Sequence, residues 1–253
     1  TVRSATKVRK DLIDACPALK VIGRGGVGMD NIDVDYARSK GIQVINTPAA
    51  SSNSVAELVF AHLYDCARFL YDSNRNMNVS GNTKFEDLKK KYAKGVELTG
   101  KTIGIVGFGR IGQAVARIAL GTGMKVLAFD PFVKEAEVAL QIHGLNDVKV
   151  KVTTSSLEEV ISNSDFITFH VPGGEVITEK ELAMMKDGVV LVNAARGGVI
   201  NESALIGALN SGKVAHAGLD VFVNEPTPSD AILKHEKISL TPHIGAATNE
   251  AQE

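Results

Sequence analysis

Short runs of β-branched and aliphatic residues alternate along the chain with longer stretches whose apolar positions recur every three or four residues. That alternation predicts a parallel sheet with helical crossovers. Helical spacing over 7–16 leads to a strand over 19–22, and a second helix leads to a strand over 42–46, which Pro48 ends. Val55, Leu58, Val59, His62, Leu63 and Cys66 then share one face of a long helix that Ser52 or Ser54 would cap. Residues 73–99 are polar and weakly periodic, and read as a connection with one short helix over 85–92. Six strands are expected beyond it, at 102–106, 126–129, 166–169, 189–193, 217–219 and 238–240. With helices between them they make a complete doubly wound sheet.

The strand over 102–106 runs into Gly107-Phe108-Gly109-Arg110-Ile111-Gly112, and a helix opens inside that motif. In this context the glycines carry a dinucleotide fingerprint: Gly107 for the tight turn, Gly109 for backbone approach to a pyrophosphate, Gly112 for close helix–strand packing. The helix N-terminus faces the anion. The next strand ends at Asp130, 23 residues after Gly107, where a carboxylate can accept both hydroxyls of the adenine ribose and repel a 2′-phosphate. Pro131 and Phe132 follow rather than an arginine, so NAD is expected over NADP. Gly23-Arg24-Gly25-Gly26-Val27-Gly28 also spells the glycine pattern, but no helix opens within it and the following strand ends in Asn46 rather than an acid. A turn whose amides hold a small anion such as a carboxylate suits it better than a second dinucleotide site.

Composition narrows the field. A chain of 253 residues can bury a large core, and its formal charge of −1 is spread evenly, which gives no polyanion-binding surface. Lys89-Lys90-Lys91 is flanked by Glu86, Asp87 and Glu97, as on a solvated face. Cys16 and Cys66 have no metal-ligand spacing, so no metal is expected, and two thiols fit a reducing compartment. No apolar run approaches a membrane span and no signal peptide opens the sequence. A cytoplasmic protein with no nucleic-acid or membrane partner is the expectation. The chain begins at Thr1 without methionine, as an excised fragment would.

Oxidising a secondary alcohol by hydride transfer needs a base for the hydroxyl proton and, for a hydroxy acid, a cation for the carboxylate. Three expected strand ends supply candidates: Asn193-Ala194-Ala195-Arg196-Gly197-Gly198 offers Arg196, Leu219-Asp220-Val221-Phe222 is followed by Glu225-Pro226, and Thr241-Pro242-His243-Ile244-Gly245-Ala246 offers His243. The guanidinium fork of Arg196 suits a carboxylate. Glu225 would orient the His243 imidazole and favour its charged form, as the carboxylate of a triad does. His62, His143, His216 and His235 lack such company and read as structural or solvated.

On these motifs, together with Val2-Arg3-Ser4-Ala5-Thr6, the run from Gly23 to Asp33, Asn46-Thr47-Pro48, Ser54 to Leu58 and His170-Val171-Pro172, the chain resembles the D-2-hydroxyacid dehydrogenase family over essentially its whole length. Its likeness is greatest to the D-3-phosphoglycerate dehydrogenase branch. The resemblance implies a Rossmann NAD-binding domain over 48–242, including an interdomain helix over 52–72 and a connection over 73–99. It also implies an incomplete flavodoxin-like α/β substrate domain over 1–47, to which 243–253 returns. It assigns catalysis to Arg196, Glu225 and His243. Cofactor contacts fall to Gly107, Gly109, Arg110, Ile111, Gly112, Asp130, Ala194, Ala195, Arg196, Asp220 at the carboxamide, His243, Gly245 and Ala246. Val27, Gly28 and Arg196 would meet the substrate carboxylate, while Arg3 and Arg24 could hold a phosphate. The segment Gly173-Gly174-Glu175-Val176 is shorter than the family's usual loop. The implied reaction takes 3-phosphoglycerate to 3-phosphohydroxypyruvate. A glycerate- or lactate-type dehydrogenase, or an NAD-sensing corepressor-like binding protein, shares the same residues. A homodimer built on the nucleotide-binding block is expected, because the helix from Val55 to about Leu70 is apolar on more than one face and one sheet covers only one.

Overall fold

The computed structural model describes residues 1–3, 6–47 and 49–251. Ser4, Ala5 and Pro48, which belong to motifs read above, lie outside the described residues. The chain divides into two compact units, Thr1–Ser54 with Ala246–Glu253, and Val55–Gly245.

In the smaller unit, α1 (Lys10–Ala15) leads to β1 (Val21–Arg24), and α2 (Val34–Ser39) leads to β2 (Gln43–Asn46). The two strands pair in parallel, Val21 opposite Gln43 through Arg24 opposite Asn46. Both α1 and β1 differ from the sequence expectation for a physical reason. Val8 is drawn into a parallel bridge with Ile32, which shortens the helix, and the ladder with β2 carries β1 on into Gly23 and Arg24. Val8, Ile13, Ile22, Ile32, Ala37 and Ile42 form this unit's core.

The larger unit follows a long helix, α3 (Ser52–Arg68), which crosses the division between units. It begins at Ser52, so Ser52 and Ser54 both lie in its first turn rather than one capping it. Phe69 takes a left-handed conformation and breaks the chain into α4 (Leu70–Ser80), followed by α5 (Phe85–Lys91). The sequence reading had 73–99 as a connection with only the second of these. Then come β3 (Thr102–Val106), α6 (Arg110–Gly121), β4 (Lys125–Phe129), a hairpin of β5 (Glu135–Leu140) and β6 (Val148–Thr153), α7 (Leu157–Asn163), β7 (Phe166–Phe169), α8 (Glu179–Met184), β8 (Val189–Asn193), α9 (Glu202–Ser211), β9 (Val214–Leu219), α10 (Asp230–Leu233) and β10 (Ile238–Leu240).

Six of these strands form one sheet in the order β10-β9-β8-β7-β3-β4, every pair parallel. Past β4, Thr154 adds one parallel bridge to Ala128. A strand reduced to that bridge completes the doubly wound order, with its switch point between β3 and β7. Side chains alternate between the two faces as a parallel sheet buried on both sides requires. Val190 and Val192 pack with α3 and α6, whereas Val189 and Leu191 pack with α7, α8 and α9. Leu205 and Leu209 of α9 are fully buried, each stabilising the unit by roughly 1.5–3 kcal/mol.

The antiparallel β5–β6 hairpin was not anticipated. Its registers pair Glu135 with Thr153 through Leu140 with Val148. Among the described residues no helix is long and apolar enough to cross a membrane, and no group of His, Cys, Asp and Glu could hold a metal ion.

Candidate active site

The carboxyl ends of β3 and β4 carry the candidate nucleotide site. Gly107 follows β3 with φ +98°, a conformation that disfavours any side chain, and a Cβ there would come 2.6 Å from the His170 carbonyl oxygen. Helix α6 opens at Arg110 with Gly109 as its N-cap and no side chain capping it, and the space beside Gly109 is open. The first-turn amides of a twelve-residue helix are thus left to an incoming anion. Gly112 brings that helix in so closely that a Cβ would sit 2.2 Å from the Gly107 carbonyl oxygen.

Asp130 stands at the end of β4. Its Oδ2 accepts the Phe108 amide at 2.7 Å, and its Oδ1 accepts those of Phe132 and Val133 at 2.8 and 3.0 Å. Burial works to raise its pKa, but the three amides outweigh burial and hold the carboxyl below the usual range. A carboxylate has about four acceptor positions. Three are taken, so in this arrangement one position, on Oδ2, is open to a ribose hydroxyl rather than a pair.

The catalytic candidates lie at the ends of β8, β9 and β10. Asn193 is buried and braces the turn after β8: its side-chain amide donates to the Arg196 carbonyl at 2.9 Å, and its Oδ1 accepts the Ala195 amide at 3.1 Å. Arg196 donates from Nη1 to the Ala195 carbonyl at 2.7 Å. Gly197 packs directly on the Phe222 carbonyl, closer than any side chain would permit. In the loop after β9, Glu225 accepts the Phe222 amide on Oε1 at 2.9 Å and meets His243 Nδ1 with Oε2 at 2.8 Å. One carboxylate is therefore fixed by backbone on one side and by imidazole on the other. With Nδ1–H committed to Glu225, Nε2 is the nitrogen left for a reacting group.

His243 itself is held at φ +54°, an uncommon conformation for a non-glycine residue. Asp220 is what pins it. This residue is only 1% exposed; its Oδ1 accepts Thr241 Oγ1 at 2.7 Å and the Ile244 amide at 2.8 Å, and its Oδ2 accepts the Gly245 amide at 2.8 Å. The family resemblance implies a carboxamide contact for Asp220. Here its lone pairs go chiefly to the turn that carries His243. Asn193, Thr241 and the clamping part of Asp220 were missed from sequence, although Asn and Asp at strand ends are the usual bracers of such turns.

In the smaller unit, a cavity of about 500 Å³ is lined by Arg3, Arg24, Gly23, Gly25, Asn46 and Thr47 among others. Val27 and Gly28 continue the loop after β1. The amides of Gly25 and Gly26 are already spent, on the Val2 carbonyl at 3.0 Å and on Thr47 Oγ1 at 2.8 Å. Ala246 falls in this unit, Gly245 in the larger one.

Residues 60–245 match the family profile described as "D-isomer specific 2-hydroxyacid dehydrogenase, NAD binding domain". The chain is 46% identical to a hydroxypyruvate reductase of Thermotoga maritima, over 99% of this chain and 78% of that protein. It is 42% identical to a D-3-phosphoglycerate dehydrogenase of Methanocaldococcus jannaschii, again over 99% of this chain, and spans 46% of that protein's length. A crystal structure of D-lactate dehydrogenase from Aquifex aeolicus, complexed with NAD and lactic acid, superposes with a TM-score of 0.76 at 32% identity, covering 99% of this chain and 77% of that one. The cofactor of this chain is NAD. With its Rossmann sheet, this chain belongs to the D-isomer specific 2-hydroxyacid dehydrogenase family.

Proposed function

We propose that the chain oxidises 3-phosphoglycerate to 3-phosphohydroxypyruvate, or runs that reaction in reverse, with His243 as the proton acceptor and donor. The observation that carries this reading is the Glu225–His243 pair at 2.8 Å on a loop packed against the Arg196 turn. Gly107, Gly109, Arg110, Ile111 and Gly112 would hold the NAD pyrophosphate. Asp130 would take the adenine ribose, and Ala194, Ala195, Asp220, Gly245 and Ala246 would frame the nicotinamide. Bound there, NAD would supply the acceptor for the hydride of the substrate carbon. His243 Nε2 accepts the hydroxyl proton as the carbon–oxygen double bond forms, and Glu225 stabilises the imidazolium that results. Arg196 binds the carboxylate through its planar fork.

The choice of substrate rests on the smaller unit. Arg3 and Arg24 line its cavity and suit a phosphate, while the amides of Val27 and Gly28, in the loop after β1 and outside that lining, would suit a carboxylate. Similarity to a hydroxypyruvate reductase favours a second reading, in which the acid carries no phosphate. Initial rates with phosphohydroxypyruvate and with hydroxypyruvate, NADH in both, decide between them. Arg24→Ala should cost the phosphorylated substrate alone. Equal loss on both substrates removes the phosphate assignment. His243→Gln should abolish turnover while leaving NADH binding intact, and wild-type turnover by that variant would leave an NAD-sensing binding protein as the better reading.

A homodimer belongs to the same proposal. Helix α4 buries none of its residues, and Leu70, Tyr71, Val79 and Phe85 are all exposed along α4 and α5. That apolar surface suits a second copy of the chain. Sedimentation should find a dimer, and a clean monomer at micromolar concentration rejects it.

A further inference from the structure

A chain of partly buried side chains, with His62 and Asp220 its buried members, runs from α3 to the turn that carries His243. His62, 3% exposed, contacts Ser239 Oγ through Nδ1 and Thr241 Oγ1 through Nε2, both at 2.9 Å. Each hydroxyl reaches on to a carboxylate: Ser239 Oγ to Asp65 Oδ2 at 2.5 Å, and Thr241 Oγ1 to Asp220 Oδ1 at 2.7 Å. Asp220 then accepts the amides of Ile244 and Gly245, the two residues after His243. Strand β9 is cut away to admit the ring, since a Cβ on Gly218 would come 2.6 Å from His62 Cβ and 2.8 Å from its Cγ.

Counting protons along this chain gives an uneven result. Four contacts join the five side chains, and each contact needs one proton between its two heavy atoms. The two hydroxyls bring one each and a neutral imidazole brings one, while two ionised carboxylates bring none. Three protons serve four contacts, so one pair of lone pairs would face each other at hydrogen-bond distance in a partly buried network, where an unmade contact is costly.

We propose that this network holds one further proton at neutral pH, on the arm formed by His62, Ser239 and Asp65, and that His62 is a positioning residue for the His243 turn. The proton belongs on that arm because Asp220 accepts two backbone amides besides Thr241, which fixes it as the anionic end. On the arm it sits either on His62, whose two N–H groups then donate to both hydroxyls, or on Asp65, with Ser239 turned to donate to Nδ1. Both placements satisfy all four contacts. Burial outweighs the pull of Asp220 and Asp65 and lowers the His62 pKa, which favours the placement with the ring neutral. Another titratable group near this end is His216 on β9, which feels the charges of Asp65 and of Lys237 before β10. The positioning half rests on the reading of His243 as proton acceptor; the proton count does not.

The test is NMR of the full-length chain, with 15N-labelled histidine and 13C-labelled aspartate, at pH 7. The expected result is a doubly protonated His62 ring or a protonated Asp65 carboxyl. A ring protonated on one nitrogen beside an ionised Asp65 overturns the proton count. Ser239→Ala leaves two contacts, which two protons satisfy, so the further proton should disappear; a spectrum unchanged at His62 and Asp65 also overturns it. For positioning, His62→Leu should lower kcat by about 10- to 100-fold, the scale of a misplaced catalytic group, with the NADH Kd within about twofold of wild type. His62→Gln, which can still donate to Thr241, should recover much of that loss. Wild-type kcat in His62→Leu overturns the positioning role. A wild-type chain that turns over no 2-hydroxy acid sinks the proposed reaction instead, and leaves the NMR result standing.

Discussion

Replacing Asp130 with alanine separates two jobs that one carboxylate does. The first is structural. Of the three amides it accepts, that of Phe108 belongs to a fully buried residue, whereas Phe132 is 91% exposed and Val133 half-buried, so water can replace the carboxylate at those two. The Phe108 N–H has no such substitute, and leaving a buried donor unmet costs about 1–3 kcal/mol. For a unit of this size that lowers the melting temperature by about 2–4 °C per kcal/mol. The second job is recognition. Losing one charge-assisted bond to the ribose costs about 1.5–3 kcal/mol, which weakens NADH binding by roughly 10- to 150-fold. NADPH should lose much less, because the repulsion between carboxylate and 2′-phosphate goes with the side chain. Fluorescence titration of both dinucleotides, beside thermal unfolding, reads the two jobs independently. If the variant melts lower yet keeps its NADH affinity, or loses NADH and NADPH binding in equal measure, Asp130 only braces the glycine loop and the recognition argument is refuted.

Three further outcomes are expected. Burial pushes the His170 pKa from 6.5 down to about 3, and its Nδ1 has no hydrogen bond to offset the burial. Between those values the unfolded chain binds one proton that the folded chain does not, so stability should fall as pH drops from about 6.5 to 3, by about 1.4 kcal/mol per pH unit. Urea midpoints measured across that window should lose this contribution in His170→Gln, and an unaltered slope would contradict it. Gly112→Ala puts a Cβ 2.2 Å from a backbone oxygen, so α6 must move; NADH affinity should fall at least about tenfold, and a wild-type Kd by titration would refute the close-packing argument. Arg196→Lys keeps the charge but loses the fork, and steady-state kinetics should show a raised KM together with a lowered kcat; a change in neither removes Arg196 from the substrate.

The parallel sheet was legible because strands buried on both faces leave unbroken apolar runs; β3, β7, β8 and β10 begin and end where those runs do. The glycine loop, Arg196 and His243 could be placed near strand ends for the same reason, whereas Glu225 lies further on, in the loop after β9. Helix α4 was not, since it buries nothing and so carries no apolar stripe toward the core. The hairpin had a signal that went unused: Val148-Lys149-Val150-Lys151-Val152 alternates with period two. The braces behind His243 had none. His62 and Ser239 are 177 positions apart, Asp65 and Ser239 are 174, and nothing local marks either pair.

That hairpin also settles how the sheet stops. Strand β4 is the outermost member on its side, with carbonyls and amides along its free flank that could template another chain. Thr154 occupies part of that flank, bonding with Oγ1 to the carbonyls of Val133 and Lys134 at 2.8 and 3.1 Å. The hairpin beside it displays Lys149 and Lys151 paired with Glu137 and Glu135. An incoming strand would have to desolvate two ion pairs to extend the sheet. The charged hairpin thus works as a bumper against edge-to-edge aggregation at this margin.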